Sequence, residues 1–325
     1  MTIAAPRRAM LGLAVASLAA PAFAQGYPDQ PVRLIVPFPP GGPADLIARI
    51  VSRIMGEKLG RPLVIESRSG AGGLVGTEAV VRSRPDGYTL IFASSGAMSI
   101  QPHLQGSAMT FDVQRDLAPI GLVLSVPQIV TVSPQMRVQN IAELVAMARA
   151  QPGRLTYGSA GIGSSLHMAG ELFRQRAGID IVHVPFRGAA PAVTETLAGR
   201  IDILLADVPA LLSHIRSGTL RALAVTSPSR IALLPEVPTM AEAGVPGMVS
   251  ETWYGLLAPS ATPPDRIATL NRALTDALTD AETLRALGEQ GGTVQSGTPE
   301  QFGAFIRANY GVWAEVIRVG NIRPE

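Results

Sequence analysis

Val32-Arg33-Leu34-Ile35-Val36-Pro37-Phe38-Pro39-Pro40-Gly41-Gly42-Pro43-Ala44-Asp45-Leu46 reads as an apolar strand that runs through a stiff turn into a helix. From Val32 to Val36 the apolar residues show little alternation, the mark of a strand covered on both faces. Beyond Pro43, the residues Leu46, Ile47, Ile50, Val51 and Ile54 fall on one helical face. Proline suits the first helical position, where its missing N–H has no partner to lose, and Gly42 is then the N-cap. The N–H groups of Ala44 and Asp45 are left without intrahelical acceptors, and a helix start of this kind suits an anion. The plainer reading is a rigid loop in which Asp45 caps its own helix.

Strand and helix patterns alternate along the rest of the chain, which argues for open, mostly parallel sheets flanked by helices. Strands are expected at 32–36, 62–66, 88–93, 128–133, 154–158, 180–184, 201–206, 220–226 and 252–258. Helices are expected at 43–59, 74–84, 141–150, 165–177, 190–198, 208–217, 264–279, 281–290 and 299–318. Asn140 with Glu143 reads as a capping box, and the Pro- and Gly-rich segment 227–248 reads as a connector between lobes. A length of 325 residues suggests about two domains and an ample core.

Residues 1–24 carry the pattern of a secretory leader. Arg7 and Arg8 precede an apolar stretch from Ala9 to Ala20, and Ala22-Phe23-Ala24 supplies a small-x-small cleavage site before Gln25. The stretch is too short for a span of about 20 residues, so the mature chain is expected to be exported to the periplasm. Without the two leader arginines the 27 basic residues become 25, equal to the 25 acidic ones. No basic run interleaved with aromatics occurs, so no nucleic-acid partner is expected. With no cysteine, disulfides and thiolate chemistry are excluded.

Three further strand ends carry unusual chemistry. Gly158-Ser159-Ala160-Gly161-Ile162-Gly163-Ser164-Ser165 offers close backbone approach, with Ser164 or Ser165 able to cap the next helix and still donate a hydroxyl. Val184-Pro185-Phe186-Arg187-Gly188 places a guanidinium where a bidentate bond to a carboxylate is possible. Asp207 ends an apolar strand, where it either meets a ligand hydroxyl or amine or caps the helix from Val208. In open α/β sheets ligands bind beyond the carboxyl ends of strands, so these turns weigh more together than singly.

Signatures of catalysis are thin. His103, His167, His183 and His214 show no i,i+4 metal pair, and no Gly-x-Ser-x-Gly elbow occurs. The glycines at 158–163 match neither the dinucleotide nor the P-loop spacing. The sole lysine, Lys58, sits on an expected helix away from the turns. No metal or cofactor is expected.

Several stretches together carry a family resemblance. They are 36–45, Glu66-Ser67-Arg68-Ser69-Gly70-Ala71-Gly72-Gly73, Pro85-Asp86-Gly87-Tyr88-Thr89-Leu90, Tyr157 to Ser165, and His183 to Gly188. Leu220 to Val225 and Leu234-Pro235-Glu236-Val237-Pro238-Thr239 continue the series in order, and coverage runs from about Tyr27 to the last helix. The chain resembles the Bug family, the TctC-type extracytoplasmic solute receptors of tripartite tricarboxylate transporters. That resemblance implies a two-lobed, periplasmic-binding-protein-like α/β fold closing on a small organic acid in the cleft between lobes. The lobes would be 25–125 with 250–325, and 126–249. Permease subunits would be the partners, and the receptor would act as a monomer without catalysis.

By the same resemblance the first turn (Phe38, Pro40, Gly41, Gly42, Asp45) and the serine turn (Ser159, Ala160, Gly163, Ser164, Ser165) hold a carboxylate, partly through water. Ser94 and Ser95 form a rim. Pro185, Phe186, Arg187, Gly188 and Asp207 fall where ligand contacts vary, and His167 follows the serine turn as a packing or ligand contact. Val208 stands where the family commonly has Asn, and Leu205 where it has Phe, so the resemblance implies neither polar recognition at that wall nor the identity of the ligand. Two other classes compete: a hydrolase using a loop serine with His167, and a receptor that senses carboxylates without transport.

Overall fold

The computed structural model describes residues 26–324, so the expected leader lies outside the described residues. The opening strand, β1 (Val32–Val36), feeds α1 (Pro43–Leu59) with Gly42 as N-cap, as the turn chemistry predicts. Then follow β2 (Leu63–Ser67), α2 (Leu74–Val81) and β3 (Thr89–Ser94). A π-helical turn over Gly96–Ile100, with no counterpart among the expected elements, leads into α3 (Gln101–Gln105). The second alternating series is β4 (Leu117–Val132), α4 (Ile141–Ala150), β5 (Thr156–Ser159), α5 (Ser165–Ala177) and β6 (Val182–Pro185). It continues with α6 (Ala189–Leu197), β7 (Ile203–Asp207), α7 (Val208–Arg216) and β8 (Arg221–Val225). The chain closes with β9 (Glu251–Pro259), α8 (Pro264–Thr279), α9 (Ala281–Glu289), β10 (Thr293–Val294) and α10 (Pro299–Gly320). Among the described residues no helix is long and apolar enough to cross a membrane.

The strands join in the order β2-β1-β3-β9-β4-β7-β5-β6, with β8 and β10 also pairing with β4. The outer strands pair in parallel, β1 with β2 and β3, and β5 with β6 and β7. The centre is antiparallel: β9 runs against β3 and β4, and β7 and β8 run against β4. The sheet is therefore mixed, and the expectation of mostly parallel pairing holds for the flanks only. β4 serves both halves, pairing with β9 over residues 117–127 and with β7 over residues 128–132. The segment 227–248 is less of a connector than its composition suggests. It folds back on β8, with Val225 N–H donating to the Pro238 carbonyl and Met240 N–H to that of Val225, and only its end crosses into β9.

The long last helix packs along both halves. Phe302 and Ile306 join Ile35, Ile91 and Trp253 in one apolar cluster, while Trp313, Val316 and Ile317 join Val130, Phe173 and Ile203 in another. A capping box, in which Thr298 accepts from the Gln301 N–H and Gln301 reaches back to the Thr298 N–H, fixes where α10 begins. Its first turn seats on β9 at Gly255. A Cβ there would collide with the buried Phe302 ring and stand 3.0 Å from the Gly121 carbonyl oxygen. Gly255→Ala is expected to cost about 1–3 kcal/mol by overpacking, read as a lower urea midpoint with unchanged slope. Adding Phe302→Leu should recover part of that loss.

Candidate functional site

A cavity of about 50 Å³ lies where four helix starts meet. Gly42, Pro43 and Ala44 come from the start of α1, and Ser164, Ser165 and Leu166 from that of α5. Gly188, Ala189 and Ala190 come from α6, and Asp207 precedes α7. Only α5 has a side-chain cap, Ser164 Oγ accepting from the His167 N–H at 3.2 Å; Gly42, Gly188 and Asp207 cap nothing with their side chains. Pro43, Pro191 and Pro209 carry no N–H, but no side chain accepts from the other first-turn N–H groups of α1, α6 and α7, and the helix dipoles add partial positive charge. Such a place holds an anion without a paired cation. Its volume admits only a few water-sized groups. Phe38, Ala160, Arg187 and Gly188 also line an outer vestibule of about 540 Å³, into which a longer molecule would extend.

The floor of the cavity is polar. Ser94 Oγ is buried with no hydrogen-bond partner, although such a group normally has one. Asp207 Oδ1 accepts from Thr252 Oγ1 at 2.6 Å, and Oδ2 from the Tyr254 hydroxyl at 2.9 Å. Ser165 Oγ lies 2.8 Å from Thr252 Oγ1. Asp207 is not the helix cap the sequence allowed, because its carboxylate turns to β9 instead. Burial pushes its pKa up to about 6, with the hydrogen bonds from Thr252 and Tyr254 pulling the other way. Thr252 and Tyr254 were missed by sequence reasoning; their two-residue spacing at the start of a strand places both on one face.

Of the residues singled out in the sequence, Phe38, Pro40, Gly42, Ser94, Ala160, Ser164, Ser165, Arg187, Gly188 and Asp207 come together around the cavity. Pro185 and Phe186 line the vestibule only. Gly41, Asp45, Ser95, Ser159, Gly163 and His167 line neither chamber, and most have a structural occupation. Asp45 Oδ2 accepts from the Gly41 N–H at 3.0 Å and from Arg49 Nε at 2.9 Å, so it closes its own turn. Burial raises its pKa, but those two bonds prevail and hold it below the usual carboxylate range. Gly163, at φ 72°, leaves room for the amide of Gln101, which a Cβ would overlap. Ser95 is fully buried beside Ser94 with its hydroxyl unpartnered.

A stack of rings supports the serine turn from behind. His167 and His183 stack with centroids 3.9 Å apart, and Tyr157 covers His183 at 4.9 Å. His167 Nδ1 accepts from the Gly163 N–H at 3.1 Å, and His183 Nε2 lies 2.7 Å from Ser159 Oγ. Burial lowers the pKa of His167 to about 4, helped by Arg174, and that of His183 to about 3, helped by His167. Both rings are therefore neutral at pH 7 and serve as hydrogen-bonding props.

A sheet in two halves with helix starts gathered at one shared cavity is a periplasmic-binding-protein-like fold. The model of the tripartite tricarboxylate transporter family receptor, TctC, matches residues 47–322, and the chain belongs to that family. It is 39% identical over 311 residues to protein BugT of Bordetella pertussis, covering 94% of each chain. Among solved structures, one described as a periplasmic transporter superposes with a TM-score of 0.88 at 37% identity, covering 91% of this chain and 99% of the other. R. palustris Rpa4515 with adipate gives a TM-score of 0.88 at 32% identity, covering 92% and 100%. MatC from Rhodopseudomonas palustris with bound malate gives 0.85 at 28% identity, covering 90% and 100%.

The buried imidazoles give stability a defined pH dependence. Their unfolded pKa of about 6.5 exceeds the folded values, so below pH 6.5 the unfolded chain binds more protons and stability falls. Each histidine contributes a loss of about 1.4 kcal/mol per pH unit until its folded pKa is reached. Asp207 acts in the opposite sense between pH 6 and its unfolded value of about 3.9, because there the folded state holds the extra proton. Urea unfolding at pH 7, 6, 5 and 4 should show falling stability, and Asp207→Asn should steepen the fall below pH 6. Parallel curves for the two proteins would contradict this assignment.

Proposed function

We propose that this chain is a periplasmic solute-binding protein that captures a small organic acid and presents it to the permease subunits of a tripartite tricarboxylate transporter. The observation that carries the reading is the meeting of four helix starts, three without side-chain caps, around one small cavity. A carboxylate there takes up N–H groups that nothing else uses, and Ser94 gains the partner it lacks. The receptor works as a monomer after loss of its leader, with lobes of 25–125 plus 250–325, and 126–249. The far end of α10 lies along the second lobe, and opening turns on the crossings at β4 and at residues 250–251. Residues around the cavity bind the acid head, and Phe186 and Pro185 meet whatever extends outward.

No reaction is part of this reading. Among the described residues the one hydrogen bond between a serine hydroxyl and an imidazole, Ser159 with His183, is partly buried behind the turn and lines neither chamber. Ser164 and Ser165 spend their hydroxyls on a helix cap and on Thr252. A thermal-shift screen of carboxylic acids tests binding, since an acid at 100 times its Kd adds about 2.7 kcal/mol. Mass spectrometry should recover the bound acid unchanged; turnover abolished by Ser159→Ala would replace this reading with an enzyme. Uptake lost in a strain lacking the protein separates transport from sensing alone.

Arg187 sets the second requirement. It makes no ion pair or side-chain hydrogen bond among the described residues and borders both the cavity and the vestibule. It therefore meets the far carboxylate of a diacid. Arg187→Ala should cost dicarboxylates on the order of 2–5 kcal/mol where that pair is dry, and monocarboxylates much less. Titration of matched mono- and diacids reads the difference; equal losses would assign Arg187 a structural role.

A further inference from the structure

The chamber proposed to take an anion already contains one ionisable oxygen pair, the Asp207 carboxyl, buried and without a cation. Its contacts are hydroxyls, Thr252 Oγ1 at 2.6 Å and the Tyr254 hydroxyl at 2.9 Å. We infer that Asp207 takes up a proton from solvent when the carboxylate enters, so that the receptor binds an acid and a proton together. This rests on the carboxylate reading of the site.

The position of Asp207 brings the two carboxyls together. It lines the small cavity that the acid head would enter, so an acid seated there lies beside the Asp207 carboxyl. Two ionised carboxyls in contact in a dry site repel, and one of them takes a proton. The side chains hydrogen-bonded to Asp207 bring no positive charge to relieve the repulsion. From β9 the only titratable neighbour is Tyr254, itself held neutral by burial and by Asp207. From β4 comes Gln128, from α5 the hydroxyl of Ser165, and from the β6–α6 turn Arg187 at the cavity border, unpaired with Asp207. The ionisable groups of α5 are engaged elsewhere, His167 with Gly163 and Glu171 with Tyr157 and Arg174.

The hydrogen-bond network has a place for the proton. The Gln128 amide is satisfied when its nitrogen faces Ser250 and its oxygen faces Thr252, at 3.1 Å from N and 2.8 Å from Oγ1. The single Thr252 hydroxyl proton then has two acceptors, Gln128 oxygen and Asp207 Oδ1. With Asp207 ionised it goes to Asp207. With Asp207 neutral, the carboxyl donates to Thr252, which donates to Gln128, and no buried group is left unpaired. A pKa already pushed up to about 6 by burial puts the exchange within reach near neutral pH.

The test is calorimetry of the intact mature protein with malate, succinate and adipate at pH 5.5 and 8, in buffers of low and high ionisation enthalpy. These acids are already fully ionised at pH 8, so bulk titration of the ligand contributes nothing there. The expected result is uptake of about one proton per acid bound at pH 8, with affinity falling about tenfold per pH unit above pH 7. Asp207→Asn should bind at pH 8 with no proton uptake and without the fall in affinity above pH 7. Tyr254→Phe, which deletes one donor to the carboxylate, should move the midpoint of the wild-type pH profile upward, and the proton count on the wild type needs no variant at all. Binding without buffer-dependent heat overturns the inference and leaves the carboxylate reading standing. A preference for malate over succinate with no proton uptake would assign Asp207 to a ligand hydroxyl instead. Absence of binding by all three acids at both pH values overturns the carboxylate reading and this inference with it.

Discussion

A single sixteen-residue strand, β4, ties the two halves of the sheet to one backbone, and the geometry of the chamber depends on it. At about 3.3 Å per residue it is roughly 50 Å long, several times an ordinary strand. Its first part pairs with β9 and its last five residues with β7, so the carboxyl ends of the parallel strands on either side face each other. Helices that follow those strands then start at the facing edges. The ladder register also builds the floor: Gln128 stands opposite Asp207, and Val126 opposite Thr252, so the change of partner brings Asp207 and Thr252 within hydrogen-bond distance. The polar network is a product of strand pairing, and it needs no loop to position it.

Around that floor the walls are small and mostly apolar: Pro39, Pro40, Ala44, Ala160, Ala189, Ala190 and Pro191. An apolar wall excludes water, which raises the cost of an unpaired charge and the value of each helix-start donor. Main-chain donors have the same chemistry whatever the side chain. On the proposed carboxylate reading, affinity for an anion lies in the backbone, while the vestibule and Arg187 distinguish one acid from another. This division explains why the class of ligand is easier to read than its identity.

The legible parts of the sequence are those where local chemistry and tertiary structure agree. Pro43 after Gly42 fixes the start of α1, and Ser164 caps α5. The first eleven residues of β4 were not legible because Pro119, Gly121 and Pro127 interrupt them, and proline removes a ladder donor. The fold accommodates the first two by a register shift between Pro119 and Gly121. The helical run from Gly96 to Gln105 was hidden in the same way, by flanking glycines and Pro102. Antiparallel pairing at the centre was not legible at all, since alternation of strands and helices carries no sign of a strand returning from the other half. For the site, turns that begin helices announced themselves, whereas Thr252 and Tyr254 lie on a regular strand whose composition resembles any buried one.

The glycines of the serine turn also serve a contact within the protein. They allow close approach, and at Gly163 the approaching group is the Gln101 side chain, whose Nε2 donates to the Ile162 carbonyl at 2.7 Å. Gln101 belongs to the first half and Ile162 to the second, so the missing Cβ serves a contact between halves. His167 and His183 then hold the turn from the opposite side, with Gly163 N–H and Ser159 Oγ as their points of attachment. Clamped from both sides, the turn presents Ala160, Ser164 and Ser165 to the chamber in a fixed pose. A backbone site binds well only if its donors do not have to be ordered on arrival. The site residues that line neither chamber thus supply rigidity to the turn that does line it.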